Sequence, residues 1–117
     1  MQPRDVQRIA HILSYCNDIQ ATIERFGKDY DIFVSDTDYH DVSAFRILQI
    51  GELAGNLSEE LRNATSDEMN WQQIKAMRNI VAHHYGKIEL DIVWDVIIND
   101  IPALQSLCAR LLETTSE

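Results

Sequence analysis

Positive charge is in short supply in this sequence: ten Lys and Arg face nineteen Asp and Glu, giving a net charge of −9 and a pI near 4.7. Proteins that bind nucleic acid usually carry a basic footprint, so such a role here requires the positive charge to be local. Cysteine is also scarce. Cys16 and Cys108 each fall at an apolar position of a helical pattern, which reads as two buried free thiols in a reducing compartment. No uninterrupted apolar run reaches the roughly 18 residues of a membrane span. The opening Met1-Gln2-Pro3-Arg4-Asp5 lacks the basic-then-apolar order of a secretory signal. A cytoplasmic protein without a membrane partner is therefore expected. Also missing are a phosphate-binding P-loop, a Gly-rich dinucleotide fingerprint and a serine nucleophile elbow.

What is present fits one domain covering residues 1–117, with an apolar fraction of 45% that argues against disorder. A chain this short buries a limited share of its surface, so leftover apolar stripes favour a homodimer. Four helical patterns account for most of the length, with no convincing strand and no internal repeat. The first runs from about Arg4 to Phe26, with Val6, Ile9, Leu13, Cys16, Ile19 and Ile23 at steps of three or four and Gly27 as its stop. The connection from Lys28 to Thr37 is polar apart from Ile32-Phe33-Val34, which predicts a short extended segment or a packed loop. A second helix begins near Asp38, with Ser35, Asp36 and Thr37 as candidate caps.

Val42, Phe45, Ile47, Leu48, Ile50, Leu53, Ala54 and Leu57 give that second helix so wide an apolar surface that it should touch several neighbours. Gly51 and Gly55 cost helix stability, which makes sense where another helix approaches closely. Ser58 can cap a short turn, Glu59 to Asn63, before a polar loop from Ala64 to Met69. Asn70 and Gln73 have capping-box spacing and open a third helix with Trp71, Ile74, Met77 and Val81 as its stripe and Gly86 as its stop. The fourth runs from about Leu90 to Leu112, with a kink expected at Pro102 and a frayed tail from Glu113. Together they predict an all-α, antiparallel up-and-down four-helix bundle.

Lys75, Arg78, His83, His84 and Lys87 fall within thirteen positions that hold no acid, a small basic island on an acidic body. Arg78, His83 and Tyr85 are the densest group of functional side chains. On a continuous helix Tyr85 lies near the Arg78 face and His83 does not, but a helix ending at Gly86 allows all three to converge. These residue types suit metal-independent RNA cleavage, in which the ribose 2′-hydroxyl attacks the adjacent phosphate. Histidine transfers the protons, and a guanidinium clamps the phosphate and stabilises its growing charge. Two chains around a two-fold axis bring two Arg/His pairs to one groove. The reaction requires a 2′-hydroxyl, so the expected substrate is RNA and not DNA.

A structural role accounts for the same residues. Arg78 then complements a helix C-terminus or pairs with Glu52, His83 and His84 satisfy loop carbonyls, and Tyr85 is a half-buried aromatic. Zinc held by His11, His40, His83 and His84 lacks the usual ligand spacing, so neither metal nor cofactor is expected.

Arg78-x4-His83-x-Tyr85 resembles the Arg-x4-His-x-Tyr motif of the HepT family within the HEPN superfamily. Similarity extends to Ile47-Leu48-Gln49-Ile50-Gly51-Glu52, to Leu57-Ser58-Glu59-Glu60 and to Trp71 through Asn79. It continues in Ile92-Val93-Trp94 and in Asp100-Ile101-Pro102-Ala103-Leu104.

The resemblance implies an endoribonuclease toxin of a type II/VII-like toxin–antitoxin pair. Its partner would be an MntA-type nucleotidyltransferase antitoxin that silences it by AMPylation of Tyr85. Arg78 and His83 then carry the catalysis, with Asn79 and Glu52 in support. The alternative function is a non-catalytic helical module that works with such a nucleotidyltransferase.

Overall fold

The computed structural model describes residues 1–82 and 89–116. All regular secondary structure among the described residues is helical, without a strand. Helix α1 (Pro3–Phe26) opens with proline in its first turn, where a missing N–H costs nothing. It ends at Gly27, whose φ of 109° is the one left-handed backbone value among the described residues.

Helix α2 (Tyr30–Ser35) replaces the extended segment or loop expected between Lys28 and Thr37. Two effects favour it. The Asp29 carboxylate caps it by accepting from the amides of Asp31 and Ile32. Winding also turns Phe33 inward, fully buried against Tyr39 and Trp94 with ring centroids 5.0 and 5.1 Å away. Tyr39 stacks on Phe26 as well, and its hydroxyl donates to the Gly27 carbonyl at 2.9 Å. Burial raises the Tyr39 pKa above that of an ordinary phenol.

Asp36 caps α3 (Thr37–Gly55) through the Tyr39 amide, one of the three caps anticipated. The helix packs against α1 on one side and α5 on another, as its wide apolar surface predicts. Two members of that surface differ from expectation. Val42 and Phe45 are exposed, Phe45 at 54%, while Ile47, Ile50 and Ala54 take the core side. Leu57 is buried but lies beyond the helix end.

Helix α4 (Glu59–Ala64) is capped by Ser58, whose hydroxyl accepts from the Leu61 amide. The same hydroxyl, together with the Ser58 amide, donates to the carboxylate of Asp5, which is buried at the start of α1. Helix α5 (Trp71–Ala82) starts at the expected cap, with the Asn70 side chain accepting from the Gln73 amide at 3.1 Å. Trp71, Ile74 and Met77 form its buried stripe, and the Trp71 indole donates to buried Thr65 at 2.7 Å. The Val81 side chain and the proposed stop at Gly86 lie outside the described residues.

Helix α6 (Leu90–Asp95) runs through a π-helical turn, Val96–Asp100, into α7 (Ile101–Ser116). Within that turn the Ile101 amide reaches back five residues to the Val96 carbonyl. The wider winding sits just ahead of Pro102, whose ring an ordinary α-helix would press against the Ile98 carbonyl. Helical structure continues to Ser116, past the end expected near Leu112.

By length and composition the Leu90–Thr115 stretch could cross a membrane, but Val93, Ile97, Ile101, Leu104 and Cys108 are buried within the protein. Cys16 and Cys108 are both free and buried. Burial pushes the Cys108 thiol up to about 12, and it raises Cys16 as well, with Cys108 adding to that shift.

Candidate functional site

Of the two side chains expected from the sequence to be catalytic, the described residues include Arg78, on the exposed side of α5. Its position is fixed from below by the backbone of α3. A Cβ added at Gly51 would lie 3.0 Å from both the Cβ and the amide nitrogen of Arg78, tighter than most side-chain contacts. Glycine at 51 thus lets α3 and α5 approach at Arg78 without a shift of the Arg78 backbone. Gly55, one turn on, is less constrained: a Cβ there would meet Lys75 side-chain carbons at 3.5–3.6 Å, an ordinary contact. Of the two glycines read as marks of close approach, Gly51 carries the demand.

Glu52 follows Gly51 and faces the same opening. Its carboxylate Oε1 lies 3.7 Å from Arg78 Nε, and both side chains are just over half exposed. An exposed pair of this kind adds little stability. Its geometric effect is larger. Among the described residues Glu52 pairs with the guanidinium at Nε, and a guanidinium held there can meet a second anion through its terminal amino groups, in the two-point manner that suits a phosphate.

Beside this contact lies a cleft of about 430 Å³, lined by Gly51, Glu52, Gln72, Lys75, Arg78 and Asn79 among others. Asn79 is exposed on its rim, next to Arg78. Lys75 contributes a second cation one helical turn before Arg78, so the described part of the basic island sits together in the cleft. His83, His84, Tyr85 and Lys87, which complete the motif and the island, lie outside the described residues.

Local sequence folds this way for identifiable reasons. The Asn70 cap and buried Trp71 set where α5 starts, and the Trp71–Ile74–Met77 stripe sets which side faces the core. Lys75, Arg78 and Asn79 are left on the solvent side. Of the cleft's lining, the sequence pointed to Arg78, Glu52 and Asn79 as site residues and assigned no place in the site to Lys75 or Gln72. A helical projection of α5 from Trp71 places Gln72, Lys75 and Asn79 on one face, the signal that was available for them.

A second cleft, of about 460 Å³, lies between α4 and the start of α5 and is lined by Glu59, Arg62, Asn63, Asn70 and Gln72 among others. Arg62 Nε is shielded from solvent there without a hydrogen-bond partner among the described residues.

Comparison with known proteins gives one family. A family model described as Ribonuclease HepT-like matches residues 12–111. The chain is 30% identical over 106 residues to a protein of Caldanaerobacter subterraneus subsp. tengcongensis named as a putative RNase, covering 90% of this chain and 91% of the relative. Two proteins of Methanocaldococcus jannaschii carry the same type of name. One is 29% identical over 98 residues, covering 83% of this chain and 72% of its own length. The other is 26% identical over 111 residues, covering 90% and 94%. No solved structure matches the chain.

Proposed function

Given that the chain belongs to the Ribonuclease HepT-like family, we propose that it is a metal-independent endoribonuclease, the toxin of a toxin–antitoxin pair, and that Arg78 and His83 cleave RNA at a homodimer interface. The observation that carries this reading is the placement of Arg78. Gly51 brackets its backbone, Glu52 holds its Nε edge, and the rest of its guanidinium faces a polar cleft. Such a group is positioned to bind a phosphodiester.

In the reaction the 2′-oxygen bonds to phosphorus as the bond to the 5′-oxygen breaks, leaving a 2′,3′-cyclic phosphate and a 5′-hydroxyl. A base takes the 2′-hydroxyl proton and an acid supplies one to the departing oxygen. His83 of each protomer fills one of these roles, so the two-fold related pair completes the exchange. Arg78 neutralises the charge that grows on the non-bridging oxygens. Asn79 orients the same phosphate from the rim, and Glu52 keeps the guanidinium in place.

Around this site α1, α3, α5 and the helix from Leu90 onward make an antiparallel four-helix bundle bent near Pro102, a single cytoplasmic domain. The antitoxin is a nucleotidyltransferase that transfers AMP to Tyr85. The added nucleotide brings negative charge and bulk beside Arg78 and blocks RNA.

Arg78→Ala and His83→Ala test the cleavage assignment. Each is expected to lower the rate on single-stranded RNA by on the order of a hundredfold or more, while circular dichroism and size-exclusion mass stay those of the parent. Undiminished cleavage in either variant removes that residue from the catalytic machinery. Co-expression with the nucleotidyltransferase is expected to add AMP mass to wild type and none to Tyr85→Phe. An unmodified wild-type chain would refute control through Tyr85.

A further inference from the structure

The two clefts along α5 share a wall. Gln72 lines both, with Lys75, Arg78 and Asn79 on one side of it and Arg62 and Asn63 on the other. Gln72 belongs to both linings and Arg78 lies about 9 Å further along the helix, so the two openings adjoin at Gln72. We propose that they form one track for single-stranded RNA, in which Arg62 binds the backbone of nucleotides flanking the phosphate held at Arg78. This assignment rests on the ribonuclease reading and extends it to a substrate subsite.

Three observations favour an RNA backbone as the occupant. The track is rich in donors (the guanidinium of Arg62, the amide of Gln72, the ammonium of Lys75) and a phosphodiester is rich in acceptors. Arg62 lines the second cleft and its Nε is shielded from solvent, so a phosphate oxygen would meet the terminal amino groups of the guanidinium. Trp71, the aromatic residue beside this second cleft, is only 5% exposed and offers no ring face on which a base could stack. Contact through phosphate without stacking carries little sequence information, so the subsite reads strand length more than base identity. Glu59 on its rim opposes the anion and limits its strength.

The test uses the full-length wild-type protein and non-cleavable 2′-O-methyl oligoribonucleotides of three and nine nucleotides, with binding followed by fluorescence anisotropy at several salt concentrations. Arg62→Gln is expected to weaken the nonamer several-fold and to lower the slope of log affinity against log salt by about 0.7 to 1. The trimer should be unaffected. Glu59→Gln is expected to tighten the nonamer. Nonamer affinity unchanged in both variants would overturn the track, as would equal losses for trimer and nonamer. Cleavage of an unmodified nonamer separates the two levels of inference. Wild type that fails to cleave sinks the ribonuclease reading and the subsite with it, whereas active wild type whose KM is the same in Arg62→Gln sinks the subsite alone.

Discussion

The α1–α7 contact and the α3–α5 contact join helices of the same protein by opposite means. Helices α1 and α7 pack together, and both are deeply apolar: Ile9, Ile12, Cys16 and Ile19 of the first and Leu104, Leu107 and Cys108 of the second are each 2% exposed or less. Between α3 and α5 the approach depends on a missing side chain at Gly51, and the seam opens directly into a polar cleft. The first arrangement converts apolar area into stability. The second places a charged group where solvent and substrate can reach it, and gains little stability from its ion pair. Helices α3 and α5 bury Ile47, Ile50, Ile74 and Met77 as well, so the separation lies in the open, charged edge that the α3–α5 contact carries.

That separation makes mutations sortable. Leu104→Ala should have the largest effect on folding, costing about 2–5 kcal/mol through lost burial and a residual cavity. Activity per folded molecule should be retained, as judged by urea denaturation alongside cleavage assays. Activity loss exceeding the loss of folded protein would show that the α1–α7 contact also serves the site. Gly51→Ala comes next. Its new methyl must displace the Arg78 backbone, so it should cost about 1–3 kcal/mol and also lower the cleavage rate of the molecules that remain folded. A folded Gly51→Ala with full activity would break the contrast at its centre.

The thiols sharpen the other half of the comparison. Cys108 is raised from 9.0 to about 12 by burial, and Cys16 is raised too. At pH 8 the native protein should resist a thiol-specific reagent, whereas both cysteines react in denaturant. Above about pH 9 the unfolded chain releases thiol protons that the folded chain keeps, so stability should fall with rising pH through that window. Below it both states hold those protons, and the thiols add no pH dependence. Rapid labelling of the native protein would show that the α1–α7 seam opens. The smallest effect is expected for Gly55→Ala, which meets only ordinary contacts at Lys75 and should be neutral or stabilising by up to about 1 kcal/mol. A large loss there would erase the distinction between the two glycines.

Much of this contrast is legible in the sequence. The periodicity of α1, the Asp36, Ser58 and Asn70 caps and the close approach at Gly51 all follow from local pattern. The Glu52–Arg78 pairing was also within reach. Helix α2 was not, because Ile32-Phe33-Val34 has the β-branched and aromatic composition of a strand, and the gain from winding comes from Tyr39 and Trp94, distant in sequence. The exposure of Val42 and Phe45 escaped for a related reason. A helix apolar on most of its surface does not reveal which sector its neighbours leave uncovered. Arg62 and Gln72 were missed because the second cleft forms between α4 and α5, elements joined by a turn whose direction the sequence does not encode in any simple period.

The π turn at Val96–Asp100 bears on which length changes the chain can tolerate. Its amides reach back one residue further than in an α-helix, so the segment is equivalent to a helix carrying one inserted residue. A relative lacking one residue in this stretch could wind through it as an unbroken α-helix and keep the buried positions of α6 and α7 in phase. A deletion of one residue elsewhere in α7 would instead rotate everything beyond it by about 100°, turning Leu104 and Cys108 out of the core. The turn therefore marks the place in this helix where a single-residue gap between relatives can be absorbed without exchanging inside for outside.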